Sequence, residues 1–391
     1  MDNNGRLAKK PLRGESLRDY ENRIATSTEP SVAVDAEKVE FCGSEVVVLR
    51  VQKNPVKPVA VKGRCYIRKG SVNVEADDVT IHKKGQGELH PAILSASRET
   101  DISAFYTDWF LSRLRQGWCE WKNPFNGEVR KVSFVKTRMI VFWSKNPKPM
   151  LGKLDEIETL GFRNFYFQFT LNDYDAERIE PNVPSVEERI DTFRRLSDKI
   201  GKERVIWRFD PLLLTDRISI DVLLERIAKI GRQLKGYTEK LVFSFIDISS
   251  YRKVQKNLAG LGCREFSADE QVLFAQGLSQ LNKELGFELA TCGELADLSA
   301  YGIKHNKCVD DELMMRLFHD DAELMGFIGA EYDMFDGWHI KKSRKDKGQR
   351  KACGCIVSKD IGMYNTCPHL CRYCYANYND EVVMKNWRNR P

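Results

Sequence analysis

The chain has 391 residues, with 42% hydrophobic, 10% aromatic and 30% charged residues and a net charge of +6. That composition supplies a core and excludes a wholly disordered chain. No run approaches the roughly 18 apolar residues of a membrane span, and residues 1–30 lack the apolar centre of a secretory signal. The expectation is therefore a cytoplasmic chain with no membrane partner, built from about two or three domains at roughly 150 residues each.

Residues 1–88 read as a small α+β module: a short helix over 15–25, then strands over 38–41, 45–52 and 58–68, and a turn at Arg68-Lys69-Gly70-Ser71. The stretch 82–91, with Gly85 and Gly87 among charges, reads as a linker. From residue 89 onward short apolar runs alternate with amphipathic stretches. The runs are 92–97, 139–144, 164–170, 204–209, 240–246 and 286–291, with a last one near 353–359. Between them lie helical patterns at 101–115, 185–200, 218–234, 268–285 and 309–318. The first is capped by Thr100 or Asp101. Such alternation predicts a parallel sheet with right-handed crossovers, an α/β fold of open or closed (β/α) barrel type over 89–391.

Several runs end in polar residues: Ser97-Arg98, Ser144-Lys145-Asn146, Gln168 and Thr170, Arg208 and Asp210, Ser244 and Asp247, and Thr291-Cys292. In a (β/α) barrel these ends converge on one face, where chemistry sits. Any one of them could simply mark the loop that follows. Together they make Lys145, Arg208 and Asp210 candidate catalytic residues, and Ser97, Arg98, Thr170 and Asp247 candidate cofactor contacts.

Eleven cysteines in a chain read as cytosolic point to metal rather than to disulfides. Cys42, Cys65, Cys119 and Cys263 are scattered, Cys292 and Cys308 are sixteen residues apart, and five fall in the last forty residues. Cys367, Cys371 and Cys374 form C-x3-C-x2-C. Three thiolates on one loop can hold three irons of a [4Fe-4S] cluster and leave the fourth open to a chelating ligand. Zinc is the alternative: Cys353, Cys355, the three loop cysteines and His369 contain enough ligands for a closed site. Cys292 and Cys308 with Cys353 and Cys355 would make a second four-thiolate set, for another cluster or a zinc ion, or they are simply buried thiols. The basic run 341–351 reads as a mobile solvated loop or as a phosphate contact.

The cysteine loop, with Tyr373 before its last cysteine, resembles that of radical S-adenosylmethionine (SAM) enzymes. In that superfamily the methionine amino and carboxylate groups chelate the open iron, and an electron from the cluster cleaves the sulfonium. The stretches 94–101 (LSASRETD), 105–110 (FYTDWF), 141–149 (VFWSKNPKP), 166–174 (YFQFTLNDY), 206–211 (IWRFDP), 291–294 (TCGE), 301–310 (YGIKHNKCVD) and 353–377 resemble the family catalogued as domain of unknown function 1848. That family is thought to be radical-SAM-like and related to the spore photoproduct lyase group. The resemblance implies a [4Fe-4S] cluster, SAM, Tyr373 beside the cofactor, and an electron donor of flavodoxin or ferredoxin type. It names no substrate, small molecule or nucleic acid. Two departures stand out. The cysteine loop follows the last strand rather than the first, as a circular permutation would place it. The usual Gly-Gly-Glu stretch is missing, with Gly293-Glu294 a weak substitute. Residues Asn3–Arg6, Glu45–Val51 and Tyr66–Ser71 resemble part of a Schlafen AlbA-like domain, a family linked to nucleic-acid binding. The rival expectation is a zinc-stabilised nucleic-acid-binding protein without catalytic activity.

Overall fold

The computed structural model describes residues 88–124, 126–350 and 352–389, and before them the strands at 28–29, 34–41, 44–51, 60–61, 64–69 and 72–75. The chain divides into two compact units, 1–88 with 125–130, and 89–124 with 131–391. In the first, Val34–Phe41 pairs antiparallel with Ser44–Val51. Thr28–Glu29, Ala60–Val61, Arg64–Lys69 and Val72–Glu75 form a four-stranded antiparallel sheet. The expected run 58–68 is thus a hairpin rather than one strand. The expected helix at 15–25, the turn glycine Gly70 and residues 82–87 of the linker lie outside the described residues.

The second unit is built on an eight-stranded parallel sheet. Its strands are β1 (Ile93–Ala96), β2 (Met139–Ser144), β3 (Phe165–Thr170), β4 (Val205–Leu212), β5 (Lys240–Phe245), β6 (Glu288–Thr291), β7 (Ile303–His305) and β8 (Lys359–Asp360). The spatial order is β8-β1-β2-β3-β4-β5-β6-β7. Only the last strand is out of chain order: Lys359 pairs with Leu94 and Asp360 with Ser95. The expected strand at 353–359 therefore forms only at its end. Residues before it are used elsewhere, Ile356 bridging to Lys345.

Side chains alternate across the sheet, as the pleat requires. On one face Leu94, Ile140, Phe142, Phe165, Phe167, Trp207 and Phe243 are buried against helix residues such as Phe110, Phe193, Ile227 and Phe274. Each such side chain contributes roughly 1.5–3 kcal/mol when fully buried. On the other face Ile93, Met139, Val141, Tyr166, Ile206 and Val242 form a second core with Cys308, Val309, Met314, Cys355 and Ile356. A flat eight-stranded sheet would hold its edges about 34 Å apart. Yet Cys355 receives hydrogen bonds from Cys308 and Val309, just beyond β7, at 3.3 and 3.4 Å. Four residues later, about 14 Å of extended chain at most, the chain enters β8 on the opposite edge. The sheet therefore curls, and the tail crosses its concave side.

The helices Val186–Ile200, Ile220–Leu234 and Ala268–Leu285 match the expected ones and start at capping serines, Ser185, Ser219 and Ser267. The expected helix over 101–115 is two: Ile102–Phe105 and Thr107–Gln116. Tyr106 leaves helical geometry between them, and its hydroxyl donates to the Thr366 carbonyl at 2.7 Å. Strand β7 was not anticipated, since only Ile303 of its three residues is buried. Among the described residues no helix is long and apolar enough to cross a membrane.

Candidate functional site

The inner face of the sheet turns from apolar to polar along the strands. Ile93 is followed by Ser95 and Ser97, Val141 by Trp143, Tyr166 by Gln168 and Thr170, Ile206 by Arg208 and Asp210, and Val242 by Ser244. At their carboxyl ends lies a cavity of about 370 Å³. The candidate catalytic residues, cofactor contacts and clustered cysteines named from the sequence line it, whereas Asn146, Gln168 and Thr291 at the strand ends do not. From the strand ends come Ser97, Arg98, Lys145, Thr170, Arg208, Asp210 and Asp247. From the tail come Cys353, Cys355, Cys367, Cys371, Tyr373 and Cys374, and Cys292 and Cys308 complete the wall.

Asp360 docks the tail onto β1. Its carboxylate accepts from the Ser95 hydroxyl and the Arg98 amide, both at 2.8 Å, and from Ser97 and the Gly362 amide. The cysteine loop follows directly. His369, inside it, turns Nε2 to Asp101 at 2.9 Å and Nδ1 to the Asn182 carbonyl at 3.3 Å. Both ring nitrogens thus lie against oxygen atoms, one of them a carboxylate. Burial pushes the Asp101 carboxyl up, but hydrogen bonds from His369, Ser144 and the Lys145 amide outweigh it and hold the group below its usual range. Asn182 reaches the Pro368 carbonyl at 2.8 Å, Asn377 the Cys367 carbonyl at 2.9 Å, and the Arg372 amide the Ile179 carbonyl at 2.9 Å.

Tyr373 is fixed by its hydroxyl, which donates to Glu180 and accepts from Lys145 Nζ at 2.7 Å. Lys145 also pairs with Glu180 at 2.8 Å. Burial would raise the Glu180 carboxyl, but the charges of Lys145 and Arg189 pull it down to about 2. Lys145 is therefore committed to an ion pair that positions the cysteine loop. Arg208 donates to Gln168 at 3.2 Å, to Cys308 Sγ at 3.0 Å and to Asp210, whose other oxygen accepts from Ser244. Burial pushes the Asp210 carboxyl up, yet Arg208 and Ser244 hold it below its usual range. Both Arg98 and Arg208 lie against Trp143, their guanidinium carbons 4.7 and 5.4 Å from its ring centre. Asp247 pairs with Arg350 at 3.5 Å. Glu294 accepts from the Phe245 amide at 2.9 Å, and burial raises its carboxyl to about 7.

Burial likewise pushes the Cys367 and Cys371 thiols up. A bound cation reverses that cost, because its own charge dominates a coordinating thiol. Among the described residues no group of three or more His, Cys, Asp or Glu side chains is spaced to hold a metal ion as it stands. The basic run is not a free loop: Lys341 pairs with Glu331, Ser343 with Asp311, Asp346 with the Cys355 carbonyl, and Arg350 with the Tyr251 hydroxyl. Asp101, Glu180 and Asp360 are the residues the sequence reading missed. Asp101 looked only like a helix cap, and it does accept from Ala104 in that role.

A curled parallel sheet carrying cysteines and charged strand ends around one cavity defines an α/β protein with a cysteine-lined site. The chain belongs to the family described as a domain of unknown function (DUF1848), whose family model matches residues 93–376. No curated protein and no solved structure matches it.

Proposed function

We propose that the second unit is an iron–sulfur enzyme of the radical SAM kind on a partial (β/α) barrel, with the cysteine loop permuted to the end of the chain. The observation that carries the reading is the docking of β8 beside β1 by Asp360, which brings Cys367, Cys371 and Cys374 to the cavity at the strand ends. If β8 is counted first, the spatial order of strands is the chain order. The donor set suits a [4Fe-4S] cluster in kind, with three thiols on one loop lining a cavity, though the described side chains are not spaced for a metal as they stand. When bound, the cluster supplies an electron and an open iron for cleaving the sulfonium of SAM. The protein's own groups hold the loop through Asp101, Lys145 and Glu180, and present Ser97, Arg98, Thr170 and Asp247 to the ligand. The electron comes from a flavodoxin- or ferredoxin-type donor. The antiparallel strands of the first unit are compatible with reading it as a partial Schlafen AlbA-like module, a family linked to nucleic-acid binding.

The test is iron and sulfide analysis of anaerobically prepared protein, followed by SAM addition to the reduced form. About four irons per loop are expected, with a change in the electron paramagnetic resonance signal on adding SAM and release of 5′-deoxyadenosine. Stoichiometric zinc without iron, or a signal indifferent to SAM with no nucleoside released, overturns the reading.

A further inference from the structure

Cys292, Cys308, Cys355 and Cys353 lie outside the cysteine loop and come from three segments of chain. Cys292 follows β6, Cys308 follows β7, and the other two lie in the tail before β8. The Cys292 and Cys308 sulfurs are 3.3 Å apart. Cys355 Sγ is held against the Cys308 backbone by the Cys308 amide, and Cys353, two residues before it, lines the same cavity. Four thiols are thus gathered on one wall of the cavity.

What surrounds them has the wrong polarity for four neutral thiols. Arg208 Nη1 at 3.0 Å and Asn306 Nδ2 at 3.2 Å both donate to Cys308 Sγ. The Cys308 and Val309 amides both donate to Cys355 Sγ, at 3.3 and 3.4 Å. A neutral thiol is a weak acceptor and already carries a donor of its own. Arg98 is within electrostatic reach of Cys308 and Cys355, and its Nη2 is buried with no hydrogen-bond partner. One guanidinium and three further N–H donors aimed at sulfur, with a second guanidinium in electrostatic reach, suit anionic sulfur. Four thiolates in contact repel one another unless a cation lies among them.

We propose that Cys292, Cys308, Cys353 and Cys355 form a four-thiolate metal centre, distinct from the Cys367–Cys374 loop, that takes a zinc ion or an iron–sulfur cluster. Binding displaces the thiol protons to solvent. Around zinc, sulfurs at about 2.3 Å from the metal stand about 3.8 Å from each other. The Cys292–Cys308 pair, at 3.3 Å, needs to open by only about half an ångström. With four protein ligands the centre is closed, so it does not bind substrate. It clamps the tail to the β6–β7 edge, four residues before β8 begins at the other edge. The N–H donors to its sulfurs are the outer contacts that tune such sites.

The proposal uses none of the loop cysteines, so it and the functional reading fail separately. The full chain with Cys367→Ala, Cys371→Ala and Cys374→Ala is prepared anaerobically and assayed for zinc, iron and sulfide. It should keep one metal centre: one zinc, or about four irons with matching sulfide. Adding Cys292→Ala and Cys308→Ala should remove that centre. Where the combined variant does not fold, cobalt(II) added to the metal-stripped triple variant is the second measurement. It should give thiolate-to-cobalt charge-transfer absorption with tetrahedral bands. A triple variant with neither bound metal nor that absorption overturns the proposal, whatever the loop binds. Metal that survives loss of Cys292 and Cys308 overturns it too.

Discussion

Asp101 Oδ2 and His369 Nε2 meet at 2.9 Å across 268 residues of sequence. One partner caps the first short helix after β1, and the other sits between the first two cysteines of the loop. The same carboxylate also receives the Ser144 hydroxyl at 2.7 Å and the Lys145 amide at 2.8 Å. One buried side chain therefore joins the ends of two strands to the loop proposed to hold the cluster. Its loss would leave several buried donors without an acceptor.

Asp101→Ala should destabilise the metal-free protein by about 3 kcal/mol or more, as removal of one member of a buried charged network does. It should also lower the iron retained after anaerobic preparation. Chemical denaturation and iron analysis check both. A variant with unchanged midpoint and full iron would show that the Asp101–His369 contact does not hold the loop.

Glu180 predicts a pH dependence. Its carboxyl is held at about 2 in the folded chain, against about 4.3 when unfolded. The folded state then binds fewer protons, so the stabilisation is complete above about pH 4.3 and is lost as pH falls towards 2. The contribution is on the order of 3 kcal/mol. Glu180→Gln should lower stability at neutral pH, because Lys145 and Arg189 keep their charge beside it. It should also flatten the loss between pH 5 and 2. Parallel denaturation curves for both proteins across that range would contradict this.

Gly362 predicts the cost of crowding the tail. A Cβ there would fall 1.8 Å from Ser97 Oγ and 2.7 Å from Ser97 Cβ. Gly362→Ala should push Ser97 off Asp360 and loosen β8. Asp360→Ala should do the same by removing the acceptor for Ser95, Ser97, Arg98 and Gly362. Limited proteolysis should then release the tail, and removing residues 353–391 altogether should expose the β1 edge and cause aggregation. Protease resistance equal to that of the unaltered chain in both variants would count against the docking role.

The strands β1 to β6 were legible because each is a run of buried apolar residues, and their polar ends fell on the inner face because the pleat alternates. Strand β7 was not, since Lys304 and His305 are exposed and nothing in three residues marks a pattern. The break at Tyr106 was hidden because apolar spacing continues across it, from Ile102 and Phe105 to Trp109 and Phe110. The candidate cysteines and cavity residues could be named from spacing and strand ends. What holds them could not. Asp101, Glu180 and Asp360 act through contacts 193 to 268 residues away along the chain, and no local pattern reports such a pairing. Arg208 and Asp210 were visible as a pair, but not that Ser244 and Cys308 complete their contacts.

That pair carries the last prediction. Arg208 is 3% exposed. Its charge is balanced by Asp210, and it also donates to the Cys308 sulfur, while Asp210 accepts from Ser244 and its amide donates to Asn172 at 2.8 Å. A side chain with both oxygens already engaged by protein has little left for a ligand. Asp210→Asn keeps the shape and removes the charge, so the buried guanidinium loses its nearest counter-charge. Breaking a buried pair in this way costs about 3–5 kcal/mol, and the partial exposure of Asp210 places the expected loss at the lower end. Ser244→Ala removes one hydrogen bond and should cost about 1–2 kcal/mol. If the pair positions the strand end, both variants lose stability in that order, while the iron-loaded protein that remains folded binds SAM with little change in affinity. If Asp210 instead contacts the ligand, Asp210→Asn leaves the denaturation midpoint nearly unchanged and weakens SAM binding tenfold or more. Denaturation and a SAM titration followed by the cluster's resonance signal, run on the same preparations, separate the two outcomes.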